Sequence, residues 1–184
     1  MSGAGTPATL RLFVACDLPD GARRAISAWQ ARALASAEGV RLNHALHLTL
    51  AFLGTMPAAS VGDIAGALAD VRVREARVGV GGPAFLPVRG AKRVIVLPLE
   101  DEGGILTRLQ ADVAEALSAR RLYEPPGRPW LPHVTVARFR RPGHPFPLQN
   151  VNIGGFGVVR MVLYSSLLER AGAAHTPLNV FSAS

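Results

Sequence analysis

One short pattern occurs twice in this chain: His47-Leu48-Thr49-Leu50 and His133-Val134-Thr135-Val136. Both copies sit in apolar runs, Leu46 to Leu53 and Leu131 to Phe139. Runs this rich in apolar and β-branched side chains form strands. Side chains two apart in a strand share a face, so His47 points with Thr49 and His133 with Thr135. An imidazole and a hydroxyl on a buried strand cost free energy unless they are paired or put to use. A fold that carries this twice has a simple solution: the two strands meet across a cleft that holds both histidines and both hydroxyls. Such a cleft suits acid–base chemistry on a phosphate ester. One imidazole takes a proton, the other gives one, and the hydroxyls hold the phosphoryl oxygens.

The rest of the pattern places these strands in an α+β chain. Leu10 to Asp17 reads as a first strand, and Pro19 opens a helix with Ala22, Ile26, Trp29 and Ala33 on one face. The first motif strand is expected to stop at Gly54, with Pro57 starting a second helix whose apolar face is Val61, Ile64, Leu68 and Val71. Ala76–Val80 and Arg93–Leu99 read as strands separated by a Gly/Pro-rich loop, Gly81–Gly90. Gly104 to Arg121 reads as a third helix, with Leu106, Leu109, Val113 and Leu117 inward. Tyr123 to Pro132 holds four prolines and is a loop. Pro132–Phe139 is the second motif strand, Arg140–Pro147 a loop, and Phe156–Leu168 and Leu178–Phe181 the last strands. Several strands follow one another directly, which favours antiparallel pairing over a doubly wound parallel sheet. The repeated motif suggests two related lobes, although no further internal repeat is visible.

Composition narrows the function classes. Hydrophobic residues make up 49% and charged residues 18%, as in folded soluble domains rather than disordered chains. The length of 184 residues suits one globular unit or two small lobes sharing a core. The formal charge is +7 and is carried by arginine, since Lys92 is the only lysine. Arginine suits phosphate recognition, although Ala- and Gly-rich chains of this kind are arginine-rich for other reasons. Cys16 is the only cysteine, which excludes an intramolecular disulfide and fits a cytoplasmic location. Residues 1–9 are small and polar, read as a disordered tail rather than a signal peptide, leaving residues 10–184 as the domain. No apolar run approaches the roughly 20 residues of a membrane span. Neither Gly-x-Gly-x-x-Gly nor a P-loop occurs, so no nucleotide cofactor is expected. His44 and His47 lie three apart in a loop-to-strand context, and no His-Glu-x-x-His or cysteine pair exists, so no metal is expected. Cys16 sits in an apolar strand, where burial disfavours the thiolate of a nucleophile.

The longer segments Leu46-His47-Leu48-Thr49-Leu50-Ala51-Phe52-Leu53-Gly54 and Pro132-His133-Val134-Thr135-Val136-Ala137-Arg138 resemble the two signature motifs of the two-histidine (2H) phosphoesterases. Within that superfamily the chain is most similar to the RNA 2′,3′-cyclic phosphodiesterase branch, also called the 2′-5′ RNA ligase group. The opening Arg11-Leu12-Phe13-Val14-Ala15 and the order of elements extend the resemblance from Leu10 onward. The resemblance implies two pseudo-symmetric α+β lobes, with antiparallel sheets flanking a central cleft and helices outside. It implies metal-independent opening of a 2′,3′-cyclic phosphate to a 2′-phosphomonoester, on RNA ends or cyclic nucleotides; separately, the protein is expected to be a monomer. His47 and His133 map onto the catalytic histidines, and Thr49 and Thr135 onto the phosphate-binding hydroxyls. By the same resemblance His47 is the acid for the leaving 3′ oxygen and His133 the base for water, although either role needs only an imidazole. The chain departs from the family at Gly39–Asn43, which lacks the aromatic or Trp-Pro pair frequent there. It also lacks a tryptophan in Arg93–Leu99, and has His175 where a tyrosine is frequent.

Other residues are open to two readings. Arg138 lies an odd number of residues after His133, so strict alternation puts it on the opposite face. A bulge or the strand end would turn it toward the phosphate; otherwise it is a surface or packing arginine. Phe13, Phe52 and Phe139 could stack on a base, but aromatics in strands are more often core. Tyr123 and Trp130, in the Pro-rich loop beside the second motif, are better placed to stack. His44, His144 and His175 belong to no pattern and read as surface or structural. Two rivals to the hydrolase share these residues: a reversible 2′-5′ ligase joining tRNA halves, and a non-catalytic binder of RNA ends. Histidines kept in both copies argue against the binder, since binding alone needs no proton donor.

Overall fold

The computed structural model describes residues 8–169 and 172–183. Its elements run β1 (Thr9–Asp17), α1 (Asp20–Ala33), β2 (Val40–Leu42), β3 (His47–Pro57), α2 (Val61–Leu68), β4 (Ala76–Val80), β5 (Ala84–Leu86) and β6 (Lys92–Glu100). α3 (Ile105–Ala119), β7 (His133–Gly143), β8 (Phe156–Val158), β9 (Arg160–Glu169) and β10 (Gly172–Ser182) complete it. The strands follow the order β10-β9-β1-β3-β7-β6-β4-β8, with β2 added to β7 and β5 to β6. All these pairings are antiparallel. The sheet divides in its middle, where β3 and β7 share the single registered pair Leu48 with Val134. The expected α+β architecture of two antiparallel lobes is therefore present, with β10-β9-β1-β3 in one lobe and β7-β6-β4-β8 in the other.

Alternation explains the core. Leu12, Val14 and Cys16 of β1, Leu48 and Leu50 of β3, Ile95 and Leu97 of β6, and Val134 and Val136 of β7 are buried together. Onto them pack the helical stripes Ile26 and Trp29, Ile64 and Leu68, and Leu106, Leu109, Val113 and Leu117. Each such side chain contributes on the order of 1.5–3 kcal/mol from burial, before entropy is charged against it. α3 begins where the Asp101 carboxylate accepts from the backbone N–H of Leu106 (3.0 Å) and Thr107 (2.8 Å), an anionic cap on the helix N-terminus. No helix among the described residues is long and apolar enough to cross a membrane.

Several boundaries differ from expectation. Gly54 does not end the first motif strand. It adopts φ 77°, and the register steps from Leu12–Gly54 to Phe13–Phe52, so the strand bulges at Leu53 and continues to Pro57. A glycine in the left-handed region is what such a bulge needs. Pro57 leads into a 3-10 turn over Ala58–Ser60, and α2 starts only at Val61. The Gly81–Gly90 loop contains β5, whose three residues pair with Val94–Val96. β7 runs through Arg140 as far as Gly143, and the long C-terminal strand is two strands, β8 and β9, broken at Val159. β10 begins at Gly172, well before Leu178. β2 carried too few residues to announce itself. Of the expected tail, residues 1–7 lie outside the described residues, while Thr9 already pairs with Pro57.

Candidate active-site cleft

Leu48 and Val134 face the core, so their neighbours face the other way. Extending that antiparallel register by one residue in each direction sets His47 opposite Thr135 and Thr49 opposite His133. The four motif side chains thus form a square on one face, with the histidines on one diagonal and the threonines on the other. The strands part on either side of that single pair, and the cleft opens on the face that carries the motif side chains. His47, Thr49, Thr135 and Arg138 line a cleft of about 580 Å³, together with Arg11, Phe13, Arg41, Phe52 and His175. His133 is not among the lining residues; it stands beside the cleft, half-buried, across from Thr49.

Both imidazoles are oriented in the same way. His47 Nδ1 donates to the carbonyl of Ala45 at 2.8 Å, and His133 Nδ1 donates to that of Leu131 at 2.7 Å. A carbonyl can only accept, so Nδ1 carries the hydrogen in each ring and Nε2 is left for chemistry.

The two halves repeat one another in register although their sequences do not. Asp17, Cys16, Ala15 and Val14 pair with His47, Leu48, Thr49 and Ala51. Pro98, Leu97, Val96 and Ile95 pair with His133, Val134, Thr135 and Ala137. Both ladders skip the residue after the threonine, Leu50 in β3 and Val136 in β7. This matched bulge resolves the parity of Arg138. Val136 and Ala137 both turn inward, and Arg138 comes out on the face of His133 and Thr135. Phe52 occupies the corresponding position in β3 and lines the cleft too.

Each bulge is held by a glutamine from a crossing helix. Gln30 of α1, buried, donates through Nε2 to Val136 O (2.6 Å) and Asn43 O (2.9 Å). Gln110 of α3 donates to Leu50 O (3.4 Å). The threonine carbonyls are tied as well: Asn43 Nδ2 donates to Thr135 O (2.8 Å), and Trp130 Nε1 to Thr49 O (3.2 Å). Each donor comes from the segment that precedes the opposite motif, so the two strands are laced together at the cleft. Replacing Gln30 with Leu removes the side-chain donor to Asn43 O and leaves Val136 O with the Asn43 N–H alone (2.9 Å). It is expected to cost about 1–3 kcal/mol, read from urea unfolding, with catalysis falling as Arg138 loses its support.

The cleft is electropositive. Burial, then His175 and Arg138, push the His47 imidazole down to about 4, against the pull of the Ala45 carbonyl and Asp17. Burial, then Arg128 and Arg138, lower His133 as well, against the Leu131 carbonyl. Burial, then Arg41 and Arg11, lower the Arg138 guanidinium. Both imidazoles are therefore harder to protonate than a free histidine, and an anion between them favours the protonated form. Among the described residues no group of three or more His, Cys, Asp or Glu side chains is placed to hold a metal ion. Burial pushes the Cys16 thiol up to about 12, which suits packing rather than attack.

Other expectations land elsewhere. Tyr123 and Trp130 are half-buried against the hydrophobic core rather than along the cleft, and the Trp130 indole N–H is spent on Thr49. That placement lends their expected stacking role no support. Phe139 also packs against the core, beside Phe85 and Phe146. Phe13 and Phe52 stack in the cleft, with centroids 5.7 Å apart. His175, read from sequence as surface or structural, lies in the cleft with its ring centroid 5.2 Å from that of His47. His44 lines the cleft too. Arg11 was within reach of sequence reasoning, because alternation puts it on the face of Phe13. Arg41, Asn43 and His175 carried no local signal.

Known proteins share this architecture. Residues 18–151, which hold both motif copies, match the model of the 2′-5′ RNA ligase superfamily. The RNA 2′,3′-cyclic phosphodiesterase of Thermus thermophilus is 31% identical over 183 residues, covering 94% of this chain and 90% of its own. A protein of the same description from Geobacillus stearothermophilus is 29% identical over 86% of this chain, which spans about half of its length, 52%. The structure of E. coli LigT complexed with 3′-AMP superposes with a TM-score of 0.82 at 25% identity, covering 96% of this chain and 99% of that one. With both signature strands inside the matched region, this chain belongs to the 2′-5′ RNA ligase superfamily.

Proposed function

We propose that this protein is an RNA 2′,3′-cyclic phosphodiesterase that opens the cyclic phosphate to a 2′-phosphomonoester without a metal. The observation that carries the reading is the square of two histidines and two threonines, each histidine with Nδ1 bonded to a carbonyl and Nε2 free. His133 takes the proton of a water as its oxygen bonds to phosphorus. The bond from phosphorus to O3′ breaks, and His47 supplies the proton that O3′ needs. Thr49 and Thr135 hydroxyls and the Arg138 guanidinium hold the phosphoryl oxygens while their charge grows. The negative charge of the bound phosphate favours the protonated form of the buried His47, which takes its proton from solvent. The single cysteine, buried as a free thiol, fits a cytoplasmic site of action.

The test is incubation with adenosine 2′,3′-cyclic phosphate in excess EDTA, with the product isomer identified by phosphorus NMR. Turnover to the 2′-monophosphate at an undiminished rate is expected. A 3′-monophosphate product, or activity lost on chelation and restored by one divalent ion, would overturn the reading. The superfamily's description favours one second reading of the same residues: the reverse reaction, joining a 5′-hydroxyl to a 2′,3′-cyclic end through a 2′-5′ bond. Isolation of that linkage from two RNA fragments would reveal it.

The pH profile follows from the electrostatics. A group with a lowered pKa gives up its proton as pH rises through that lowered value. The profile of kcat/KM reports the free enzyme, so its alkaline limb is expected below the ordinary imidazole value of about 6.5. The profile of kcat reports the complex, where the phosphate restores the proton, so its alkaline limb lies at higher pH. Both limbs belong to the coupled pair rather than to one histidine. Coincident profiles centred above pH 7 would contradict this.

A further inference from the structure

The cleft has more positive charge than one cyclic phosphate can use. That group is a diester with a single negative charge, yet Arg11 from β1, Arg41 from β2 and Arg138 from β7 all line the cleft. No aspartate or glutamate among the described residues lines the cleft. Among the described residues the only ion pairs are Arg23 with Asp20 and Arg160 with Asp17, so none of the three is neutralised by a carboxylate. Arg41 lies directly opposite Arg138 in the β2–β7 register. Like charges at directly paired positions repel, and an anion shared between them relieves that repulsion.

The three are also ordered along the cleft. Arg138 shares a strand and a face with His133, whereas Arg41 sits on the neighbouring strand paired with Arg138, and Arg11 is paired with Thr55, eight residues along β3 from His47. Arg138 is therefore the arginine of the reacting phosphate, and the other two extend the cationic wall away from the histidines. Arg11 is held in place, its guanidinium carbon 5.4 Å from the centroid of the Phe52 ring.

We infer that Arg11 and Arg41 form a subsite for a second phosphate, so that the preferred substrate is an RNA end whose terminal nucleotide is linked onward through a phosphodiester, rather than a free cyclic mononucleotide. The inference rests on the proposed reaction for its substrate, but its binding arm does not depend on turnover.

Three substrates separate the sources of a second phosphate: adenosine 2′,3′-cyclic phosphate, the same compound with a 5′-phosphate, and the dinucleotide ApA ending in a 2′,3′-cyclic phosphate. The wild-type kcat/KM is expected to be at least tenfold higher for the dinucleotide than for the mononucleotide. In Arg11→Gln/Arg41→Gln that ratio falls toward one. A preference for the 5′-phosphorylated mononucleotide over the dinucleotide would overturn the assignment to an RNA chain. In parallel, calorimetry compares adenosine 2′-monophosphate with ApA bearing a 2′-phosphate, at several salt concentrations. For the dinucleotide the wild type should show a steeper fall of log affinity with log salt, by about 0.7 for each added phosphate contact, and the double variant should lose that increment. Wild-type affinities and salt slopes equal for the two ligands would refute the subsite even if the variant failed to fold. Equal losses by the variant on every ligand would refute it too, assigning both arginines to the reacting phosphate. Turnover absent for all three substrates, with the dinucleotide preference intact in binding, would sink the proposed reaction and leave the subsite standing.

Discussion

Replacing either His47 or His133 with alanine is expected to lower kcat by on the order of 10²–10⁴, the contribution of a positioned proton donor or acceptor. The loss should fall on kcat more than on KM, because the imidazoles matter most as protons move. The two act as one unit, so the double variant should be little worse than the worse single one. His47→Ala also opens a hole beside Phe13 and His175, whose rings lie 5.0 Å and 5.2 Å from the imidazole. Unfolding curves for both variants separate this packing loss from the chemistry. Near-normal turnover by either single variant would remove that residue from the mechanism.

The phosphate-holding groups should show the next largest effect. Thr49→Ala, Thr135→Ala and Arg138→Gln are each expected to cost about 10–10³ in kcat/KM, as donors to developing negative charge are lost. Thr49 and Thr135 occupy equivalent corners of the square and should give similar losses. Arg138→Gln carries a second signature. Removing its charge relieves both imidazoles, so the alkaline limb of kcat/KM should move up toward the ordinary histidine value. A rate loss with an unmoved pH profile would mean that Arg138 acts on the phosphate alone.

The legible parts of this molecule are those written in short-range periodicity. His47 with Thr49 and His133 with Thr135 could be placed on common faces from spacing alone, and the apolar stripes of α1, α2 and α3 from helical spacing. Arg138 could not, because its face depends on the Val136 bulge. That bulge is stabilised by Gln30 on α1, a residue distant in sequence and unremarkable in a helix. The same limit hid the internal repeat. It survives as matched registers and matched glutamine contacts, and those are tertiary facts. His175 reaches the cleft because β10 lies beside β9, which pairs with β1, and no local pattern encodes that adjacency. Trp130 shows the opposite failure. A tryptophan in a Pro-rich loop beside an active strand invites a stacking role, but its indole N–H holds the Thr49 carbonyl instead.

The central claim is that His47 and His133 act on one phosphate from opposite corners. Nitrogen-edited NMR of the imidazole rings, titrated with adenosine 2′-monophosphate, tests it most directly. The account predicts that both rings respond at the same ligand concentration. Both imidazoles should then titrate at higher pH than in the free protein, because one anion favours the charged form of each. A response confined to one ring, with the other unchanged at saturation, would contradict it.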